Sequence, residues 1–489
     1  MKYRKGNLVL VLVVLILLIA GLAWSVFRAR LAQQQADFLA SVASSGGNVT
    51  MDYDAEGRLP PRWPLWLRGI CGDWPYAHVR KVKIGNIDQL KTIGEFPQLR
   101  ELDCSICAEN LNHEMKFVKR CKHLRVINLQ AEKVGGNLEL EDLTGFPELT
   151  ALYLCGMQVG HDELACFKYM SQLRTLRLGS VGIGDKELRR LRFLKQLEEL
   201  DLHGNWISGP GLTALRGMKQ LRKLDLHENN IRGSGIVNLK DLSLLEELDL
   251  SKTHVDNESM AVLAGLKNLK RLDLMGSEVR GPGLRRLYGL KQQLAVRITL
   301  DDEDMEFIDG AIPIVALQLS SCQLTDNGCY HIAFYPMLEE LNLQGSDLND
   351  ARMENLAELT RLKKLNLMNN LITDAGLRHL RGLTDLRELS LGFTDVRGPG
   401  LEILKNMPRL EVLSLSNLPL HDEDLKHLDG LSQLRELVVT DNCLTDAALD
   451  HLAGLKQLRK IYIRSPGITP QGKQKLRVAV PGLKFEGEE

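Results

Sequence analysis

A short motif, Leu-x-x-Leu-x-Leu, recurs along most of this 489-residue chain and restricts its fold more than any other feature. Regular copies start at Leu149, Leu173, Leu197, Leu221, Leu245, Leu269, Leu338, Leu362, Leu386, Leu410 and Leu434, and successive starts within each run are 24 residues apart. Looser copies begin at Val79, Leu99, Leu124, Leu294, Ile314 and Leu458, and a remnant follows at Leu483. A fixed period of this length indicates stacked repeats, each of which buries its apolar side only against its neighbours.

The first half of each repeat predicts a strand followed by a buried polar residue. Alternation such as Leu365-x-Leu367 places every second side chain in the core. Three residues after the last strand leucine, a buried amide or hydroxyl can hydrogen-bond the backbone of neighbouring turns. Asparagine fills this ladder position at Asn205, Asn229, Asn370 and Asn442, while Thr253, Ser277, Ser346, Thr394, Cys107 and Cys322 replace it elsewhere.

The second half of each repeat predicts a one- or two-turn helix. In the best-preserved copy, Leu377, Leu380 and Leu383 would point inward from it. The segment 373–376, Thr-Asp-Ala-Gly, aligns with Gly-Pro-Gly at 209–211, 281–283 and 398–400. We interpret the Asp or first Gly as the helix N-cap and the following Ala or Pro as the first helical residue. The same alignment argues against a phosphate-binding loop at the Gly-Pro-Gly segments.

The unit at 362–383 resembles the leucine-rich-repeat superfamily, in the subclass whose second half reads Thr-Asp-x-Gly-Leu. The chain looks similar to bacterial membrane-anchored repeat proteins and, more distantly, to the repeats of F-box ubiquitin-ligase receptors. The resemblance covers about residues 79–482, and no F-box-like helical segment precedes them. It implies an α/β fold: a right-handed solenoid, or horseshoe, with a concave parallel sheet. It implies no particular ligand.

The N-terminus predicts a single transmembrane helix. Residues 1–6 contain three basic side chains, and residues 7–27 are almost entirely apolar. Twenty helical residues span the roughly 30 Å hydrocarbon core of a bilayer. Arg28 and Arg30 follow as a polar stop, so we expect an uncleaved signal anchor. The excess of basic residues before the helix predicts a cytoplasmic N-terminus and repeats on the extracytoplasmic side of the membrane.

A cleaved signal peptide is the alternative, with Gly21-Leu22-Ala23 as a small-residue cleavage site. After the anchor we predict a helical stem over 28–47 and an N-terminal cap over 48–78 that covers the first repeat. The solenoid would comprise about seventeen repeats over 79–482, irregular at 285–314, and residues 483–489 would form a tail.

Composition argues against two classes of protein. The formal net charge of −1 lacks the basic excess of nucleic-acid-binding proteins. Nine cysteines are too few, and odd in number, for a disulfide scaffold. We interpret most of them, including the lone pair Cys104-x-x-Cys107, as small core residues rather than metal or redox groups. The acids at 301–304 in the shortened repeat suggest a capped helix or a solvated turn, with a calcium loop as the alternative.

The concave face between Tyr153 and Asp273 is the predicted binding surface for a protein partner. Six consecutive repeats keep an unbroken register there, and their outward strand residues form columns about 4.8 Å apart. Tyrosine, arginine and tryptophan are favoured anchors of interfaces, whereas later repeats carry plain serines at Ser390 and Ser414. The predicted contact residues are Tyr153, Arg177, Glu199, Asp201, His203, Trp206, Lys223, Asp225, His227, Arg271 and Asp273.

Two other functions stay open. A structural or adhesive envelope protein would act through its convex face. A metal-binding or enzymatic site would use Asp201, His203, Asp225 and His227, the only cluster of carboxylates and imidazoles that the repeats bring together. Signatures of catalysis and of cofactor binding are otherwise missing from the sequence, which favours a non-enzymatic scaffold without a cofactor.

Overall fold

The computed structural model describes residues 37–51 (except 39), 79–104, 111–129, 139–290 (except 158 and 161) and 294–486 (except 309, 311 and 313). The chain forms two compact units, which we call unit 1 (Met1–Asp225) and unit 2 (Leu226–Glu489). Each unit is described by itself.

The described residues of unit 1 form eight strands, and seven of these run parallel. The antiparallel exception is β1, which pairs with β2. From β2 onward each strand pairs in parallel with the next. The strands are β1 (Asn48–Met51), β2 (Val79–Lys83), β3 (Glu101–Asp103), β4 (Val126–Asn128), β5 (Ala151–Tyr153), β6 (Thr175–Arg177), β7 (Glu199–Asp201) and β8 (Lys223–Asp225).

In the part of unit 2 that the structure describes, eleven strands pair in parallel along the chain order. They are β9 (Glu247–Asp249), β10 (Arg271–Leu274), β11 (Ala295–Thr299), β12 (Ile314–Gln318), β13 (Glu340–Asn342), β14 (Lys364–Asn366), β15 (Glu388–Ser390), β16 (Val412–Ser414), β17 (Glu436–Val438), β18 (Lys460–Tyr462) and β19 (Lys484–Glu486). Each predicted repeat from Val79 to Leu458 holds one parallel strand, and β19 follows the remnant at Leu483. The predicted α/β repeat architecture with a parallel sheet is confirmed.

Short helices, many of them 3₁₀, connect the strands. In unit 1 they span Ile87–Gln89, Leu90–Ile93, Leu111–Val118, Leu140–Gly145, Glu163–Tyr169, Asp185–Leu188, Arg189–Phe193 and Gly209–Leu215. In unit 2 they span Gly233–Leu239, Ser259–Leu263, Gly281–Leu284, Arg285–Leu290, Asp302–Met305, Asp326–Ile332, Arg352–Leu356, Asp374–Leu377, Arg378–Gly382, Gly398–Asn406, Asp422–Leu428, Asp446–Leu452 and Pro470–Ala479. The repeat leucines of strand and helix are buried together, as Leu365 and Leu380 illustrate. Every repeat therefore contributes one layer of core.

The predicted asparagine ladder is present, and Asn370 shows it completely. Its amide donates to the carbonyls of Leu343 (2.7 Å), Leu367 (2.9 Å) and Met368 (3.2 Å). Its oxygen accepts the backbone N–H groups of residues 346 and 348 at 3.1 and 2.9 Å. The side chain thus satisfies five backbone groups where the chain leaves the strand.

The helix starts differ from the sequence prediction, and they form a second ladder. Thr373, not Asp374, is the N-cap, because its hydroxyl accepts the N–H of Ala375 at 3.2 Å. The aspartate that follows the N-cap position bonds the next repeat instead. Asp350, the equivalent of Asp374 in the preceding repeat, accepts from the N–H of Thr373 at 2.8 Å and from its hydroxyl at 2.6 Å. The same pairing joins Asp185 to Ser208, Asp302 to Thr325, Asp422 to Thr445 and Asp446 to Thr469.

The Gly-Pro-Gly segments also start helices, with the cap one residue earlier than predicted. Ser208, Arg280 and Arg397 are their N-caps, and proline lies in the first turn. Several repeats carry glycine at the third position after the N-cap. The aspartate of the preceding repeat lies against this glycine. A Cβ at Gly376, for example, would lie 2.4 Å from Asp350 Oδ1.

The acids at 301–304 cap helices rather than forming a loop of their own. Asp301 is the N-cap of Asp302–Met305 and accepts the N–H of Asp304 at 3.1 Å. Asp304 is buried and accepts the N–H of Gly281 at 2.8 Å. Burial is the main cause that raises the pKa of Asp304. The irregular repeat also shifts the pairing of β11 with β12 after Val296.

A helix ahead of β1, within the predicted stem, packs against the first repeat of unit 1. Residues 37, 38 and 40–44 are helical, and Phe38 and Val42 are buried. The ring of Phe38 lies 5.0 Å from that of Phe96. Apolar side chains four positions apart give this helix one buried side. Residues 52–78 of the predicted cap lie outside the described residues.

The predicted anchor over 7–27 lies outside the described residues, as do residues 1–6 and 28–36, Cys71, Cys107 and residues 487–489. Within the part of the chain that the structure describes, helices of the length and apolar character needed to cross a membrane are absent.

Candidate functional site

The outward residues of the strands form a surface that we call the strand face, which is the face predicted to be concave. In unit 1 the register places Tyr153, Arg177, Asp201 and Asp225 in one row, on β5 to β8. Glu199 and Lys223 are paired in the row beside it. Of the eleven predicted contact residues, these six and the two that follow β7, His203 and Trp206, belong to unit 1.

Arg177 contacts two of the other predicted residues on this face, Tyr153 and Glu199. Its guanidinium lies 5.0 Å from the centroid of the Tyr153 ring. It also donates to Glu199 Oε1 from Nε at 2.9 Å and from Nη2 at 2.6 Å. Stacking on one side and a carboxylate on the other hold a long side chain in one orientation while 42% of it stays exposed.

The pKa shifts of Tyr153 and Arg177 agree with this geometry. Burial raises the pKa of the Tyr153 hydroxyl, so the ring carries no charge at neutral pH. Burial acts to lower the pKa of Arg177, but the hydrogen bonds and charge of Glu199 outweigh it, and the pKa is raised overall. The pair is therefore a neutral aromatic ring beside a permanent cation.

Asp201 and His203 form a second pair at the end of β7. Asp201 Oδ1 lies 2.7 Å from His203 Nδ1 and accepts the backbone N–H of His203 at 3.1 Å. Burial acts to raise the pKa of Asp201, but these two hydrogen bonds together with the charges of His203 and Arg177 outweigh it, and the pKa is lowered. The side chains are 16% and 27% exposed, so the pair is partly shielded from water.

Trp206 lies on the turn just beyond β7, and its side chain is largely exposed at 74%. Its backbone is fixed, because its N–H donates to the carbonyl of Ile183 at 2.9 Å. The ring lies beside Gly182, where a Cβ would come within 3.7 Å of it. A tryptophan this exposed on a fixed backbone is suited to contact another molecule.

The remaining predicted residues, His227, Arg271 and Asp273, belong to unit 2. Arg271 donates to Glu247 at 3.4 Å, and its side chain is 73% exposed. Asp273 accepts from Arg297 Nε at 2.8 Å, while Nη1 of the same arginine reaches Glu340 at 2.8 Å. Burial, as the largest cause, and Asp249 raise the pKa of Asp273. The carbonyl of His227 accepts from the ladder residue Asn229 at 3.2 Å.

The row of aspartates has a local structural cause. Asp249 accepts the N–H of Ser251 at 2.9 Å, and Asp273 accepts that of Met275 at 3.0 Å. Asn342 makes the same turn with residue 344 at 3.0 Å. A short side chain with an oxygen acceptor is needed to close this turn. The turn accounts for acids in line on the strand face.

Sequence reasoning missed two features. Cys155 lies beside Asp201, with its Sγ 3.9 Å from Asp201 Oδ2. In unit 2, Leu371 and Phe393 are 66% and 49% exposed beside a groove of about 790 Å³. The signal for Leu371 was available, because it directly follows the ladder asparagine, as Trp206 does.

A family model described as Leucine Rich repeat matches residues 195–215, 313–333 and 359–380. A search of curated proteins gives no match. Among solved structures, the chain is similar to an internalin of Listeria monocytogenes, with 22% identity, 64% of this chain and 85% of that chain covered, and a TM-score of 0.45.

Two further solved structures are similar. For an LRR protein of Leptospira interrogans the identity is 21%, the coverage 81% of this chain and 86% of that chain, and the TM-score 0.38. The other is the ectodomain of the plant receptor kinase GASSHO1/SCHENGEN3 of Arabidopsis thaliana, in complex with CASPARIAN STRIP INTEGRITY FACTOR 2. Here the identity is 16%, the coverage 81% of this chain and 53% of that chain, and the TM-score 0.38. Identities and TM-scores this low say nothing about what the present chain binds.

Proposed function

We propose that this chain, which belongs to the leucine-rich-repeat superfamily, binds a protein partner through the strand face of unit 1. The observation that carries the proposal is the arrangement of Tyr153, Arg177 and Glu199. An exposed guanidinium is already stacked and ion-paired before any partner arrives. Little side-chain entropy is then lost on association, which favours affinity.

The surroundings of this arrangement support the same function. Trp206 adds an exposed aromatic surface, and Tyr and Arg side chains are enriched among residues that dominate binding energy. Asp201, Asp225 and Lys223 add charges at the edge of the aromatic centre. Charges in such positions set the association rate and the choice of partner. The face thus combines a rigid centre with a charged border.

Photo-crosslinking tests the placement. A photoreactive amino acid replaces Thr175, which lies on β6 in the same row of the strand face as Glu199 and Lys223. We expect it to capture one protein in the native cells, whereas the same amino acid at Ser390 on β15 should not. The captured protein is then purified and titrated against the full chain.

In that titration, Tyr153→Ala and Arg177→Ala should each weaken binding about 30-fold or more, the effect of losing roughly 2 kcal/mol at an interface centre. Ser390→Arg and Ser414→Arg introduce bulk and charge on the strand face of unit 2 and serve as matched controls. Loss of binding in the serine variants alone would place the site in unit 2 and contradict the proposal.

We further propose that residues 7–27 anchor the protein in a membrane with the repeats outside the cytoplasm. The support is the length and apolar character of this segment and the basic residues before it. A reporter active only in the cytoplasm, fused after Glu489, should be inactive. An active reporter would reverse the orientation, and a mature N-terminus at Trp24 would replace the anchor by a cleaved signal peptide.

A further inference from the structure

Three side chains that can bind a soft divalent cation meet at the ends of β5 and β7 in unit 1. They are the thiol of Cys155, the carboxylate of Asp201 and the imidazole of His203, and their ligand atoms all lie within 4.8 Å of one another. Cys155 is not part of a disulfide. Its Sγ lies 3.9 Å from Asp201 Oδ2, and Asp201 Oδ1 lies 2.7 Å from His203 Nδ1.

The three residues come from two repeats that are not neighbours, and Gly179 in the repeat between them allows the contact. A Cβ at residue 179 would lie 1.9 Å from His203 Cε1 and 2.2 Å from His203 Nδ1. The imidazole therefore occupies the space that a side chain at 179 would take. Strands two repeats apart are separated by about 10 Å, so any larger residue at 179 would keep the thiol and the imidazole apart.

The backbone holds this arrangement from both sides. The N–H of Gly156, next to Cys155, donates to the carbonyl of Gly179 at 2.8 Å. The N–H of Ser180, next to Gly179, donates to the carbonyl of His203 at 2.7 Å. Consecutive repeats are thus tied together at the residues that carry the candidate ligands, which limits the motion of the ligands relative to one another.

We propose that Cys155, Asp201 and His203 bind a divalent cation of the zinc class. A thiolate, an imidazole and a carboxylate together suit Zn²⁺ and Co²⁺, whereas Mg²⁺ and Ca²⁺ prefer oxygen ligands alone. Zn²⁺ is bound by sulfur at about 2.3 Å and by nitrogen or oxygen at about 2.0 Å, so small side-chain rotations would close the three groups around one ion.

Three protein ligands leave one tetrahedral position for water or for a group of another molecule. Binding replaces the thiol proton of Cys155 by the metal and releases that proton to solvent. The set differs from the one that the sequence predicts, because Cys155 joins Asp201 and His203, and neither Asp225 nor His227 is required. It is independent of the proposed protein-binding function, since the metal needs no partner protein.

Cobalt provides the test, because Co²⁺ bound to a thiolate absorbs in the near ultraviolet through charge transfer from sulfur. The full chain, freed of any affinity-tag histidines and kept reduced, is titrated with Co²⁺ alone. We expect a saturable charge-transfer band of one equivalent, which Zn²⁺ abolishes by displacement. Cys155→Ser should remove the band, and His203→Ala should remove or greatly weaken it.

Gly179→Ala tests the geometry, because it leaves all three ligands in place and displaces only the imidazole. We expect it to weaken Co²⁺ binding about 10- to 100-fold, the range found when a metal ligand loses its orientation. Cys443→Ser, at the exposed cysteine of unit 2, should leave the band unchanged. Circular dichroism confirms that each variant is folded, and Cys155→Ser, a change of one atom, keeps the test valid if Gly179→Ala unfolds. No band in the wild type, or an undiminished band in Cys155→Ser, would overturn the proposal.

Discussion

Replacing Asn370 by leucine is expected to lower the free energy of unfolding by about 2–6 kcal/mol. The variant loses the acceptor for two buried N–H groups, those of Ser346 and Leu348. Each buried donor left without a partner costs about 1–3 kcal/mol. Three carbonyls lose a donor as well, although a carbonyl tolerates this better. Urea denaturation of the full chain measures the change.

Thr394→Val is the matched control for this prediction. Thr394 occupies the same ladder position in the next repeat and is also buried, but its hydroxyl makes one bond, to the carbonyl of Leu391 at 2.7 Å. Valine has nearly the same shape, so the expected loss is about 1 kcal/mol. Equal losses in the two variants would mean that the asparagine acts by filling space rather than by satisfying the backbone.

The strands and the ladder could be predicted because each follows from the pattern within one repeat. Leu365 and Leu367 alternate, and Asn370 follows them at a fixed distance, so one unit contains all the information. The helix starts could not be predicted in the same way. Asp350 has a common capping residue type, yet its carboxylate bonds Thr373 of the next repeat. The residue types at a helix start fit a cap within the repeat and a bond to the next repeat equally well, so the pattern did not distinguish the two.

The contacts of the candidate site likewise divide into those that could be predicted from the sequence and those that could not. The row of Tyr153, Arg177 and Asp201 was predictable, because equivalent positions of successive repeats lie side by side. The bond from Arg177 to Glu199 was not, because this long side chain reaches diagonally into the neighbouring row. Cys155 was missed for another reason: its approach to His203 depends on the side chain that Gly179 lacks.

The helix ahead of β1 gives the second large effect, for the variant Phe38→Ala. Phe38 is buried against Phe96, and removing a buried aromatic ring costs about 3–5 kcal/mol. The helix is also fixed by Gln89, whose amide donates to the hydroxyls of Ser41 and Ser45, both at 3.0 Å. Polar anchors of this kind orient the helix, but its apolar side chains supply the stabilisation.

The loss of stability in Phe38→Ala should be confined to the repeats nearest the helix, because each repeat is stabilised mainly by its immediate neighbours. Hydrogen exchange of the full chain should show that Phe38→Ala lowers protection of the amides of β2 by about 100-fold or more, the equivalent of 3 kcal/mol, while β7 stays protected. Phe193→Ala removes an aromatic ring that is already 43% exposed and should leave β2 unchanged. If β2 is as protected in Phe38→Ala as in the wild type, the first repeat is stable by itself and the helix over 37–44 is an attachment rather than a cap. Loss of protection in β2 and β7 together would instead show that unit 1 unfolds as one cooperative body, so that covering its first repeat stabilises the strand face of unit 1 as well.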